Sequence, residues 1–265
     1  MDTKKKIAAL REEMKKEKIG VYIIPTSDFH NSEYVSPYFM TREYFSGFTG
    51  SAGTLVVTES EAALFTDGRY FIQAENQLQG SGIVLMRSGE SGVPTVRKYV
   101  LDTLPESENI GFDGRVLTAE TGRYYKKNTG EKNVGIVDID LADRIWKDRP
   151  ALEHTEIYLL DEKYSGKSAA EKLSEVREKM SEKKADVHII TALDEISWLF
   201  NIRADDIKCC PMVLSYAAVT ESSALLFADT NACGEKVLEY LGKNGITLRP
   251  YDEIYSYAEK LSAGS

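Results

Sequence analysis

Three short stretches hold the side chains with the most chemistry in this 265-residue chain. The first is Ser27-Asp28-Phe29-His30-Asn31-Ser32-Glu33-Tyr34, in which Asp28, His30 and Glu33 are potential metal ligands. A metal site needs ligands converging from one face, with partners behind them that orient each one. Asp28 recurs as Asp194, again just after a strand, which favours capping for both, and His30 is expected on a surface loop. The second stretch is Ser46-Gly47-Phe48-Thr49-Gly50-Ser51-Ala52-Gly53-Thr54. Its glycines permit a tight turn before a strand, and its N–H groups could cradle an anion. No helix follows to add its dipole, so a structural turn is the preferred reading. The third is Thr66-Asp67-Gly68-Arg69-Tyr70-Phe71, where a strand gives way to a helix. Asp67 is expected to be the N-cap of that helix, accepting N–H bonds from its first turn. Asp229 is expected to cap at the matching place later in the chain.

Other constellations are weaker. Gly166-Lys167-Ser168 resembles the end of a phosphate loop, but Asp161 stands where its upstream glycine belongs. Cys209, Cys210 and Cys233 have no C-x-x-C spacing and no nearby histidine to complete a zinc site. Reduced thiols in a cytoplasmic protein suit them better. His154 and His188 stand apart from one another and from other ligands. The aromatic run Tyr34, Tyr38, Phe39, Tyr44, Phe45, Phe48 is either packing beneath a loop or a contact surface. On the second reading His30, Tyr44, Phe48 and Arg69 are the candidates for a substrate cleft or an interface.

The elements that must position these residues occur twice. Leu10-Arg11-Glu12-Glu13-Met14 returns as Val176-Arg177-Glu178-Lys179-Met180, and Val21-Tyr22-Ile23-Ile24 as Val187-His188-Ile189-Ile190, both 166 residues on (10 to 176, 21 to 187). Thr58–Asp67 returns as Thr220–Asp229, 162 residues on (58 to 220), and Gly82-Ile83-Val84-Leu85 as Gly245-Ile246-Thr247-Leu248, 163 on (82 to 245). A nearly constant offset over separate blocks is the signature of a duplicated unit. Helical spacing of Ile7, Leu10 and Met14 predicts a helix over 3–17. Short apolar runs predict strands at 21–24, 54–58, 62–66, 82–86, 110–113 and 134–138, with helices at 70–78 and 96–104. The fold class is therefore α/β: two tandem related domains, each a mixed sheet flanked by helices. The expected domains are 1–160 and 165–265, joined by the polar segment 163–168. The second lacks a counterpart of 105–150 and is expected to be truncated, as part of a longer protein.

Charge narrows the partners. The net charge is −9 and the pI about 5.1, against nucleic acid as a partner because phosphates require clustered cations. Lys4-Lys5-Lys6 reads as the solvated start of a helix. The first 17 residues lack a secretory apolar core, and no stretch reaches a membrane span of about 20 apolar residues. A cytoplasmic location is expected.

The segments S-D-x-H-x-S-E-Y, S-G-F-T-G-S-A-G-T and T-D-G-R-Y-F-x-Q-A-E resemble the first domain of three-domain Xaa-Pro aminopeptidases. Thr191–Arg203 is similar to the start of their second domain. The pattern departs at Ala204–Pro211, where the family has a glycine after the arginine and an Asn-Pro pair beyond it. The resemblance implies two creatinase N-terminal-like domains preceding a catalytic domain. That third domain holds two divalent metal ions, usually manganese, on two Asp, one His and two Glu, and removes an N-terminal residue preceding proline. No such ligand set can be carried onto these residues, so no cofactor and no catalytic residue are expected in this fragment, which should be inactive alone. Its expected partners are proline-containing peptides through the parent enzyme, with a homodimer left open, and neither nucleic acid nor membrane. The alternative is a catalytically inert, peptidase-like module that binds a protein partner. A prolidase or creatinase, with one N-terminal domain, fits the repeat less well.

Overall fold

A computed structural model describes residues 1–129 and 134–262, with side chains to 261. The chain divides into two compact units, Met1–Ala151 and Leu152–Ser265. The break lies upstream of the polar joint at 163–168. Residues 157–160 belong with the second unit, because Tyr158 and Leu159 pair with Ile202–Arg203 and Ile157 N–H donates to Ala232 O.

The first unit runs α1 (Thr3–Lys16), β1 (Ile19–Pro25), a 3-10 turn (Pro37–Phe39), α2 (Thr41–Ser46), β2 (Thr54–Thr58), β3 (Ala62–Thr66), α3 (Phe71–Gln77), β4 (Val84–Arg87), α4 (Val96–Thr103), β5 (Asn109–Phe112), α5 (Ala119–Asn128), β6 (Ile136–Asp138) and α6 (Ala142–Ile145). Its sheet has the order β4-β3-β2-β1-β5-β6. β2 is antiparallel to both neighbours, and the other pairings are parallel. β1 is therefore central, and its run of apolar residues is buried on both faces. Leu10, Met14, Tyr22 and Ile24 pack on one side, and Val21, Ile23, Ile110 and Phe112 on the other.

The second unit runs β7 (Tyr158–Leu159), α7 (Glu162–Ser165), α8 (Ala169–Lys183), β8 (Val187–Ile190), α9 (Leu193–Leu199), β9 (Ile202–Arg203), β10 (Tyr216–Thr220), β11 (Ala224–Ala228), a 3-10 turn (Thr230–Ala232), α10 (Glu235–Lys243), β12 (Ile246–Pro250) and α11 (Glu253–Ser262). Its main sheet is β12-β11-β10-β8, which reproduces β4-β3-β2-β1 in order and direction. The register agrees residue by residue. Val21 faces Thr58 and Val187 faces Thr220, while Ala63 faces Val84 and Leu225 faces Thr247. Arg11 Nε donates to Thr58 O at 2.9 Å, and Arg177 Nε to Thr220 O at 3.0 Å. Helices α1 and α8 are each followed within two residues by a left-handed lysine, Lys18 (φ 54°) and Lys184 (φ 55°). The sequence repeat is thus a repeat of hydrogen bonds and backbone angles as well as of residue types.

Where the family pattern departs, Asp206 is buried. Its Oδ1 accepts from Thr155 N (2.6 Å) and Thr155 Oγ1 (2.8 Å), and its Oδ2 from Leu214 N (2.8 Å). The carboxylate thereby ties the 204–214 loop to the segment before β7. The three cysteines are free, Cys209 exposed and Cys233 buried. Among the described residues no helix is long and apolar enough to cross a membrane.

Candidate functional site

Strand direction explains why the three signature stretches meet. β1 and β3 run the same way and β2 runs against them, so the ends of β1 and β3 share one sheet edge with the start of β2. The stretch 27–34 leaves β1, 46–54 enters β2, and 66–71 leaves β3. Hydrogen bonds join them. Thr26 N donates to Gly53 O (2.8 Å), Thr66 Oγ1 donates to Ala52 O (2.7 Å), and Ser51 Oγ lies 2.7 Å from Tyr70 Oη. The ends of the parallel strands β5 and β6 reach the same edge. Crevices at such carboxyl ends are a common place for ligands in α/β sheets.

Arg42 organises the glycine stretch. Its guanidinium is buried, donating to the carbonyls of Phe48 and Gly50 and, through Nε, to Thr26 Oγ1 (2.9 Å). It also lies over the Phe48 ring at 4.7 Å. Burial pushes it down to about 10, so it remains a cation at neutral pH. Gly47 takes a left-handed turn (φ 72°) to end α2. Gly50 has no room for a side chain, since a Cβ there would come 2.3 Å from Phe48 Cζ.

Asp28 is almost fully buried and closes the 28–32 turn. Its Oδ1 accepts from the N–H groups of His30 and Ser32, each at 2.8 Å. Among the described residues its Oδ2 has no hydrogen-bond partner. The expected surface position of His30 is corrected: the residue is 8% exposed, because the Asp28 turn draws its backbone inward. Asp194, expected to cap as well, sits inside the first turn of α9, whose N-cap is Ala192 and which has no side-chain cap bond.

The helix cap expected at Asp67 is also corrected. α3 starts only at Phe71, with Tyr70 as N-cap and no side-chain cap bond, too far on for Asp67 to serve its first turn. Asp67 instead accepts from Arg69 N (3.1 Å) and forms a two-bond fork with the Arg69 side chain, both bonds 2.9 Å. Those side-chain and backbone bonds lower its carboxyl to about 2 and hold Arg69 above its ordinary range. The pair is exposed, so it contributes little to stability. Asp229 accepts from Asn231 N (2.9 Å) at the head of the Thr230–Ala232 turn.

A second Asp-Gly-Arg follows β5 and repeats this geometry. Asp113 takes Arg115 N at 3.0 Å and the Arg115 side chain through Nε and Nη2, both at 3.2 Å. Arg115 lies over Phe29 at 4.4 Å, and Phe29 packs edge-on to Phe39 at 4.7 Å. Arg149 completes the cluster, bonded to Asp140 at 2.5 Å and to Tyr38 O at 2.9 Å, with its guanidinium over the Tyr38 ring at 3.9 Å. Beside Arg149 is a cavity of about 20 Å³ with a mixed lining, Ile24, Phe39 and Val116 together with Tyr22, Asp113 and Asp140, large enough for about one water.

Of the predicted site residues, His30, Phe48 and Arg69 belong to this edge. Phe48 is fully buried and packs on Tyr70, whereas Arg69 is exposed. Tyr44 belongs elsewhere. It stacks on Trp146 (4.4 Å, 14°) and lies beneath Lys6 Nζ at 3.9 Å, which makes Lys6 a packing residue rather than a fully solvated one. Sequence reasoning missed Arg42, Arg115 and Arg149. The duplicated Asp-Gly-Arg was a usable signal for Arg115, and a lone cation inside an aromatic run was one for Arg42. The arginines are committed to carbonyls or carboxylates, so this edge is a rigid scaffold with an exposed rim that includes Tyr34 and Arg69. No group of three or more His, Cys, Asp or Glu among the described residues could hold a metal ion, so the donor set does not fit a dinuclear centre.

Residues 6–145 match a family model described as the creatinase/prolidase N-terminal domain, and residues 148–265 match a second model of the same description. A probable Xaa-Pro aminopeptidase P of Coprinopsis cinerea is 42% identical over 98% of this chain and 42% of its own length. One of Tuber melanosporum is 40% identical over 100% of this chain and 44% of its own length. The crystal structure of X-prolyl aminopeptidase from Caenorhabditis elegans, described as a cytosolic enzyme with a di-nuclear active site, matches with a TM-score of 0.94 and 33% identity over 99% of this chain and 45% of that one. The chain thus spans less than half the length of these relatives. With two matching domains in tandem and relatives that are Xaa-Pro aminopeptidases, the chain belongs to the creatinase/prolidase N-terminal domain family.

Proposed function

We propose that this chain is the non-catalytic N-terminal region of a cytoplasmic, metal-dependent Xaa-Pro aminopeptidase, and that it shapes the cleft admitting the peptide and contributes to the dimer. The observation that carries this reading is full-length similarity to proteins of that name, confined to somewhat over two fifths of their length. The metal ions, expected to be manganese, are assigned to the remainder of the parent, because no group of three or more His, Cys, Asp or Glu among the described residues could hold one. On the exposed rim, Arg69 and Tyr34 are the residues proposed to meet peptide or partner.

The test has two arms. The purified chain, incubated with manganese and an Arg-Pro-Pro peptide, is expected to give no turnover and no pair of tight metal sites by calorimetry. Turnover above buffer, or two tight sites per chain, would mean that a complete enzyme has been misread as a fragment. In the full-length parent, Arg69→Ala is expected to change either peptide-length preference or dimer dissociation. Both staying at the parent's values would remove Arg69 from the proposed role.

A further inference from the structure

Three sulfur donors fall within four consecutive residues of the loop that carries Asp206: Cys209, Cys210 and, past Pro211, Met212. Both ends of this loop are fixed. Asp206 accepts from Thr155 and Leu214, and Val213 N donates to the buried Ser197 Oγ at 3.3 Å. Between those ties the chain turns twice. Cys210 N donates to Ile207 O (3.0 Å), with Cys209 in the left-handed region (φ 63°). Met212 N then donates to Cys210 O (2.7 Å), which doubles the chain back at Pro211. Cys209 is exposed, and Cys210 and Met212 are half-buried. The remaining thiol, Cys233, is buried in the core of the second unit, and burial pushes it up to about 11. It therefore stays protonated and enclosed at neutral pH, and leaves the 209–212 turn as the reactive sulfur of the chain.

We propose that Cys209, Cys210 and Met212 bind one monovalent copper ion. The geometry and the donor set select this ligand from those that thiols accept. A disulfide within the pair is disfavoured. Neighbouring α-carbons across a trans peptide are about 3.8 Å apart, short of the roughly 4.4–6.8 Å that a relaxed disulfide spans. An ion inserted between the two sulfurs lengthens the bridge and removes that strain. Zinc is poorly served, because it takes four nitrogen, sulfur or carboxylate ligands. His154 and Asp206 lie on this side of the unit, 3.9 Å apart, yet among the described residues no group of three or more His, Cys, Asp or Glu could hold a metal ion. Monovalent copper is a soft ion that favours thiolate and thioether sulfur, the two donor types on this turn. Binding replaces each S–H bond by a Cu–S bond and releases two protons. The Met212 thioether donates a lone pair unchanged, and no electron is transferred. The bis-thiolate centre then carries one negative charge, which the exposed Lys208 beside it offsets. The proposal stands on these residues alone and is independent of the function proposed for the parent.

The test delivers Cu(I) anaerobically, as its acetonitrile complex, to the reduced 265-residue chain in competition with the chromogenic chelator bathocuproine disulfonate. One ion per chain is expected. Cys209→Ser with Cys210→Ser should abolish stoichiometric uptake and leave the urea midpoint unchanged. Should the midpoint fall, Cys209→Ser alone, at the exposed position, must still lose that uptake. Met212→Leu should weaken binding at least about tenfold, the lower bound for losing even an outer-shell partner of a metal. It should also reduce the sulfur neighbours seen by copper X-ray absorption from three to two. Cys233→Ser should leave uptake as it was. No uptake by the chain, or uptake that survives the serine variants, overturns the site. Half an ion per chain accompanied by dimerisation also overturns it, by showing that thiols of two copies share the ion. Parental affinity in Met212→Leu overturns the thioether ligand, and displacement of Cu(I) by equimolar Zn(II) overturns the choice of ion.

Discussion

Replacing Arg42 with lysine tests whether the guanidinium fork, rather than the charge alone, holds the glycine stretch in place. Arg42 spans acceptors on Phe48, Gly50 and Thr26 from a buried position. A lysine ammonium is a point charge on a flexible stem and lacks this planar fork. Two buried acceptors left unpaired at about 1–3 kcal/mol each give a loss of roughly 2–6 kcal/mol. At about 2–4 °C per kcal/mol for a unit of this size, the transition should fall by at least roughly 4 °C. Arg42→Met also abandons the acceptors but removes the buried charge. A guanidinium lowered from 12.5 to about 10 corresponds to a charge-burial cost of about 3 kcal/mol at about 1.4 kcal/mol per pKa unit. Methionine is therefore expected to be no worse than lysine. The readout is urea unfolding followed by Trp146 fluorescence in a Trp198→Phe background, since Trp146 stacks on Tyr44 of the same helix and the chain has only these two tryptophans. A lysine variant within about 0.5 kcal/mol of the parent, the range of ordinary surface substitutions, would refute the reasoning. So would a methionine variant clearly less stable than the lysine variant.

Gly50→Ala should destabilise the first unit by about 1–3 kcal/mol through overpacking against Phe48 and Tyr70, and an unchanged urea midpoint would contradict the close contact. Tyr22→Phe should cost about 1–2 kcal/mol at neutral pH by losing the bonds to Ile139 and Leu141. Burial raises the Tyr22 phenol in the folded state above its unfolded value near 10, so its contribution is complete below about pH 10 and is lost as pH rises further. The phenylalanine variant should accordingly lose less stability between pH 9 and 11 than the parent, and parallel curves would refute the assignment. Lys184→Gly should stabilise the second unit by roughly 0.5–1 kcal/mol, because relief of a left-handed backbone worth about 1–2 kcal/mol exceeds the added unfolded-state entropy of about 0.4–1; a lower midpoint would show that the lysine side chain matters there.

Legibility followed the range of the interactions. β2 and β3 lie where their short apolar runs put them, because a hairpin is specified by a dozen adjacent residues. The duplication was readable because the offset is preserved in strand register as well as in sequence. The burial of His30 and the partners of Arg42 and Arg149 were not readable. They depend on which loops the sheet order brings to one edge, and the Arg149–Tyr38 bond joins residues 111 apart. Asp67 shows a local failure of a different kind: a good cap residue was taken by an arginine two positions on before the helix began.

The position of β1 in its sheet has a consequence for how the protein is made. A ribosome emits the chain from its N-terminus at about 5–20 residues per second. β1 and β2 can pair early, but β5 begins about ninety residues after β1, so at that speed its delivery takes roughly 5–20 s. The lock between Tyr22 and Ile139 spans 117 residues and closes later still. Throughout that interval the nascent chain displays the β5-facing edge of a strand that ends up buried on both faces. Slow codons placed between β2 and Ile139 would lengthen the exposure and favour capture by chaperones or aggregation. Slow codons far enough beyond residue 151 that the whole first unit has left the ribosome and can close would leave it unaffected.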